Sequence, residues 1–136
     1  MALPNGAGGY QVGDGNLNEV NMGVQPAPQT ATTGATLTTA QILGGILLGS
    51  PGTTASAYTL PTGSDLDAAL PSAKVNSSFD FSVCNVDGST TGVITMTAGT
   101  GWTIVGLATI AATAGTTGRF RARRTAASTW TLYRLA

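Results

Sequence analysis

From residue 77 onward, apolar and polar residues alternate in short runs separated by glycine-bearing turns. Phe79, Phe81 and Val83 fall on one side and Asp80, Ser82 and Cys84 on the other, the period of two that marks a half-buried strand. Asp87-Gly88 then reads as a turn, which makes residues 92–97 the expected hairpin partner of that strand. Residues 102–105 and 108–112 are expected as the third and fourth strands, divided by Gly99-Thr100-Gly101 and Gly106. Residues 118–124 and 129–135 form a closing hairpin around Thr125-Ala126-Ala127-Ser128.

The stretch before residue 77 mixes periods. Residues 36–44 suggest one helical turn, capped by Thr38 or Thr39 and stopped by Gly44. Ile46-Leu47-Leu48 follows as a buried strand, Ser50-Pro51-Gly52 as a turn, and residues 55–60 as a strand with Tyr58 and Leu60 on one face. Residues 62–71 carry the clearest helix signal: Ser64 as cap, Asp65 and Asp67 in the first turn where the helix dipole favours them, Leu66 and Leu70 four apart, and Pro71 as terminator. Strands of five to nine residues spaced about ten apart predict an all-β chain with one or two short helices, built as an antiparallel β-sandwich or barrel.

Residues 1–34 differ from the rest. They are rich in Asn, Gly, Gln and Pro and poor in bulky apolar groups, so they are expected as an extended N-terminal arm, with residues 35–136 as the β-rich domain. Only residues 19–24 alternate like a strand, placing Val20, Met22 and Val24 on one face. With Tyr10, Val12 and Leu17 they would be wasted in solvent but could lie along a partner; a disordered tail is the alternative. The N-terminus lacks the basic start and apolar centre of a signal peptide, and the longest apolar stretch, 42–48, is interrupted by two glycines and too short to span a membrane. No membrane partner is expected.

Charge narrows the function. The chain has six basic and six acidic residues, no histidine and one cysteine. The four charges before Lys74 are Asp14, Glu19, Asp65 and Asp67, a total of −4. Lys74 and five arginines against Asp80 and Asp87 give 6 − 2 = +4. Such a division argues against a broad basic field for nucleic acid and suits contacts between copies, acidic arm against basic sheet. Without histidine or a second cysteine, no Ser–His or Cys–His pair can be built and no metal-ligand spacing appears, so no enzyme activity and no cofactor or metal is expected. Asp65 and Asp67 are explained by a helix start and do not face each other on a helix. Gly6-Ala7-Gly8-Gly9 lacks the Lys-Ser/Thr ending of a phosphate loop. Cys84, unpaired, is expected as a small buried side chain, and Trp102 and Trp130 as core.

One constellation stands out. Arg119, Arg121 and Arg123 occupy alternate positions and would make a basic ridge on one face of a strand. The ridge could meet phosphates, an anionic glycan or an acidic protein surface, or could guard a solvated edge strand against aggregation. The lack of interleaved aromatics and of supporting lysines favours a protein partner.

Tyr58-Thr59-Leu60-Pro61-Thr62, Phe79-Asp80-Phe81-Ser82-Val83, the run from Gly99 through Trp102 to Gly106, Gly118-Arg119-Phe120-Arg121-Ala122-Arg123 and the closing Trp130-Thr131-Leu132-Tyr133-Arg134-Leu135 resemble, in texture and order, a module of tailed-bacteriophage heads. The chain is similar to capsid decoration (cement) and head-fibre proteins, and the arm from Asn5 to Glu19 resembles their start. The resemblance implies a β-rich homotrimer on the capsid exterior, assembled in the host cytoplasm, with the major capsid protein as partner and Tyr10, Val12, Leu17, Val20, Met22, Val24, Arg119, Arg121 and Arg123 as contact residues. No proline-rich or collagen-like stalk is present, which favours compact cement over a longer fibre; a receptor- or glycan-binding head-fibre module is the alternative.

Overall fold

A computed structural model describes residues 23–136. The chain runs β1 (Gln29–Ala31), β2 (Ala35–Thr36), α1 (Thr39–Leu43), β3 (Ile46–Gly49), β4 (Ser56–Thr59) and α2 (Gly63–Ala69). It continues through β5 (Ser78–Asn85), β6 (Ile94–Thr97), β7 (Trp102–Val105), β8 (Thr109–Ile110), β9 (Thr117–Ala126) and β10 (Thr129–Arg134). The regular structure of the described part is thus mostly strand, with two short helices, as expected. β1 lies inside the segment expected as arm, so the sheet starts at Gln29, upstream of residue 34.

Both helices are set by their caps. In α1 the Thr38 hydroxyl accepts from the Gln41 N–H, and the Gln41 side chain accepts from the Thr38 N–H at 2.8 Å. This is the reciprocal capping box, and Gly44 ends the helix. In α2 the cap is Thr62 in place of the expected Ser64. Thr62 is extended, with φ −62 and ψ 150, and its hydroxyl accepts from the Asp65 N–H at 3.1 Å, which leaves Ser64 already inside the helix.

The strands form two sheets, one ordered β1-β3-β5-β9-β10-β7 and one ordered β2-β4-β6-β8. They are mixed, which corrects the antiparallel expectation. β1, β3 and β5 are mutually parallel, as are β2, β4 and β6, and β7 is parallel to β10. Only β5–β9, β9–β10 and β6–β8 are antiparallel. Parallel neighbours need a crossover. The chain supplies it by winding: β1 to β2, β3 to β4 and β5 to β6 each cross from the six-stranded sheet to the four-stranded one, and α1 and α2 lie on the two returns.

The β5–β6 hairpin is therefore corrected as well, because the two strands belong to different sheets. The turn chemistry after β5 belongs instead to a longer crossing. Asn85, fully buried, accepts from the Gly88 N–H at 2.7 Å and donates to the carbonyls of Gly92 and Ala111, each at 2.9 Å. The Asp87 carboxylate accepts from the Gly52 N–H at 3.1 Å. The closing β9–β10 hairpin forms as expected, with Leu132 opposite Ala122 and Ser128 turning at φ 53.

Residues of both sheets share one core. Leu47, Phe81, Val83, Phe120, Ala122, Trp130 and Leu132 come from the six-stranded sheet, and Tyr58, Ile94, Met96 and Ile110 from the other. Trp102 and Trp130 stack with centroids 6.1 Å apart, and Phe81 stacks on Phe120 at 5.7 Å. The buried Tyr58 hydroxyl donates to the Ala31 carbonyl at 3.0 Å, and burial pushes its pKa up to about 12. The fit beside it is close: a Cβ on Gly49 would come within 2.9 Å of that hydroxyl and 2.5 Å of the Ile94 methyl. Cys84 is only half-buried and faces away from this core, because it shares the polar side of β5 with Asp80 and Ser82. The Thr117 hydroxyl donates to its sulfur at 3.4 Å.

Candidate functional site

β9 alternates strictly over its first half: Gly118, Phe120 and Ala122 are buried, while Arg119 and Arg121 are exposed and Arg123 half-exposed. The ridge expected from the sequence therefore exists, on the outer face of the six-stranded sheet. Register sets Ser82, Asp80 and Ser78 of β5 opposite Arg119, Arg121 and Arg123, with Tyr133 and Thr131 of β10 on the other flank.

Asp80 organises this face. Arg121 donates to both of its oxygens, at 2.6 and 3.0 Å, and Arg119 donates to Oδ2 at 3.0 Å. The Arg121 guanidinium, with Arg119 beside it, holds the Asp80 carboxyl below the usual carboxylate range. Arg123 instead takes neutral partners, donating to the Asn76 side-chain oxygen at 3.1 Å and to the Tyr133 hydroxyl at 2.9 Å. Three guanidinium groups against one carboxylate leave the face with a charge of 3 − 1 = +2. Sequence reasoning named the arginines but not Asp80 or Tyr133. The period-two pattern put Asp80 on the outer side of β5, but only the β5–β9 register brings it to Arg121.

A second acidic centre was read differently. Asp67 of α2 reaches the β9–β10 turn, where it accepts from Arg124 at 3.0 and 2.8 Å, from the Ser128 N–H at 2.8 Å and from the Trp130 indole N–H at 2.9 Å. The sequence suggested a first-turn position with only a dipole role, but with Thr62 as the cap the first turn holds Asp65 and Asp67 lies beyond it. The structure makes it the tie between helix and hairpin, and the Arg124 guanidinium holds its carboxyl well below the ordinary range. No buried side-chain polar atom among the described residues lacks a partner.

Of the expected arm contacts, Tyr10, Val12, Leu17, Val20 and Met22 lie outside the described residues. Val24 lies within them and is 99% exposed, in an irregular stretch 23–28 that leads into the edge strand β1. In this stretch the Gln25 side-chain amide donates to the Gly44 carbonyl. From β1 to β9 is three strand spacings, roughly 14 Å, so β1 and the ridge belong to one sheet. At the opposite edge, beside β7, Val105, Leu107 and Leu135 are exposed at 48, 70 and 44%. This apolar corner is a feature the alternation pattern did not single out.

Two hollows mark the described surface. An open groove of about 790 Å³ between the starts of the two helices is lined largely by threonines, with Asp65 and Leu37. A smaller apolar cleft lies beside Phe79. Among the described residues no three His, Cys, Asp or Glu come together as a metal site would require, and no helix is long and apolar enough to cross a membrane. Comparison with protein-family models, curated proteins and solved structures finds no match for this chain.

Proposed function

We propose that this chain is a structural protein of a phage virion, a homotrimeric decoration protein that binds the capsid exterior and stiffens the shell, with the two sheets packed as a sandwich. The observation that carries the reading is the stretch leading into β1, where a fully exposed Val24 sits beside Gln25, whose side chain is held at the Gly44 carbonyl. An apolar side chain presented in this way suits an arm that lies along a partner. Behind it stands a body with a continuous core and satisfied internal polar groups, suited to act as a rigid knob.

The mechanism is added contact area. Each arm orders along the major capsid protein, and three linked copies multiply the affinity of one. The ridge, at +2, orients the knob against acidic groups of a neighbouring chain. The apolar corner of Val105, Leu107 and Leu135 supports contact between copies. The alternative, a receptor- or glycan-binding head-fibre module, would use exposed aromatics at one tip. It draws less support: Trp102 and Trp130 are buried, Tyr133 is tied to Arg123, and no aromatic lines the threonine groove.

The test is to mix the purified protein with undecorated capsids and measure occupancy, for the whole chain and for a variant lacking residues 1–24. The whole chain should coat the shell, and the truncated protein should fold but coat it poorly. Equal occupancy of the two would remove the arm from the reading. A monodisperse monomer at micromolar concentration, by multi-angle light scattering, would remove the trimer.

A further inference from the structure

Two unlike patches lie at one end of the six-stranded sheet, the end where β5 stops and β9 starts. β10 runs antiparallel to β9 and β7 runs parallel to β10, so both finish at this end too. Arg119 is the first arginine of the ridge, and its carbonyl accepts from the Leu135 N–H at 2.8 Å, which joins the ridge to the apolar corner of Leu135, Val105 and Leu107. The Arg119 side chain is 58% exposed and shares Asp80 with Arg121, which already bonds both carboxylate oxygens. Its charge is therefore only partly met within the chain.

Three strand spacings away, roughly 14 Å, the chain leaves β5 through Val86 and Asp87, both exposed. The Gly52 N–H engages only Oδ1 of Asp87, and among the described residues Asp87 belongs to no ion pair. Asp65 is the other described carboxylate outside an ion pair, but it lines the threonine groove and has no large exposed apolar neighbour in the chain. Only Val86-Asp87 sets a spare carboxylate beside an exposed apolar side chain, the complement of what Arg119 and the corner offer.

We propose that the two patches are the halves of one contact between copies: Asp87 of one copy pairs with Arg119 of the next, and Val86 packs against Leu107 and Leu135. The apolar side chains supply the buried centre, and the charge pair fixes register at the rim. Because the halves differ, the contact is heterologous, the kind that closes into a ring when the rotation between copies allows. Both halves sit at the same end of the sheet, so three copies gather about an axis that passes that end. The inference rests on the homotrimer reading and names the contact that builds it.

Reversing the charges in full-length protein tests it, with assembly followed by light scattering over a dilution series. Asp87→Arg and Arg119→Glu should each raise the concentration at which the trimer dissociates at least tenfold at low salt, and the double variant should recover most of that loss. Singles that assemble like wild type, or a double no better than the worse single, would overturn the pairing. If Asp87→Arg lowers the melting temperature, Val86→Ser with Leu107→Ser takes its place; both sites are exposed and both charges stay, so assembly should weaken several-fold, and unchanged assembly would overturn the contact. A wild type that is monomeric throughout would sink the homotrimer and this contact together, whereas a trimeric wild type with trimeric variants would sink the contact alone.

Discussion

Asp67 and Asp80 are the same side chain with the same kind of partner, yet they sit in regions that make them different objects. Asp67 accepts four hydrogen bonds at the junction of α2 with the β9–β10 hairpin, and one of its donors is the indole of the fully buried Trp130. Its ion-pair partner Arg124 has only 17% of its side chain exposed. Asp80 takes three hydrogen bonds from Arg119 and Arg121, whose side chains are 58 and 49% exposed on an open sheet face. Solvent can readily replace what Asp80 provides on its open face, whereas Asp67 serves a fully buried indole, a turn N–H and a sheltered guanidinium at once. The first cluster is therefore architecture. The second is a charged surface held in shape, available to a partner.

The largest expected effect follows directly. Asp67→Ala should cost about 2–3 kcal/mol, the penalty for leaving a buried N–H donor without its acceptor, and lower the melting temperature on the order of 10 °C. Thermal unfolding by circular dichroism measures this, and a change no larger than that of Asp80→Ala would erase the contrast. The pH dependence sharpens it. The folded-state pKa of Asp67 is depressed, so its stabilisation is complete above the unfolded value, near 3.9, and drains as pH falls through that value and below. Wild type should lose stability steeply below about pH 4, and Asp67→Asn should start lower with a shallower acid slope. Parallel acid-unfolding curves for the two proteins would show that Asp67 is not the group being titrated.

Asp67 also shows where sequence reading stops. A carboxylate expected in a helical first turn has a sufficient local explanation, even though the cap at Thr62 puts Asp67 beyond that turn, and a tie to a hairpin some sixty residues away leaves no trace in local pattern. Local chemistry was legible: Thr38 and Gly44 bound α1 because cap and stop act within a few residues. The inward sides of β5, β9 and β10 were legible because alternation reports burial. Pairing direction was not, since a strand buried on one face has the same pattern in a parallel or an antiparallel ladder. Asp87-Gly88 pointed to a hairpin for this reason, and only the buried Asn85, bonded to Gly88, Gly92 and Ala111, shows that the segment crosses between sheets. The ridge was visible from spacing alone, while its neutralising Asp80 depended on a register that spacing cannot supply.

A double-mutant cycle compares the two pairs without reference to total stability. Alanine at 67 and 124, singly and together, should show strong coupling, because both partners are sheltered and bonded in a two-point fork. The cycle at 80 and 121 should show several-fold weaker coupling that fades with salt, as exposed pairs do. Equal couplings would mean that exposure is not what separates the two regions.

The smallest effect on folding, and the one most informative about function, is expected at the ridge. Replacing Arg119, Arg121 and Arg123 by Gln removes three cations and leaves Asp80 without its partners, but Asp80 can turn to water on that open face. Stability should fall only slightly, within the range of ordinary surface substitutions. Association should respond more. If the ridge orients the chain against acidic groups of a neighbour, the triple variant should bind capsids more weakly at low ionic strength, and the gap should close as salt shortens the screening length to about 10 Å at 0.1 M and about 3 Å at 1 M. A solvated sheet face guarded by charge forecasts the opposite: normal assembly at every salt concentration, with reduced solubility alone. Titrating capsid occupancy against salt for both proteins separates the two, and superimposable curves would leave the ridge, like the Asp67 cluster, as part of the scaffold.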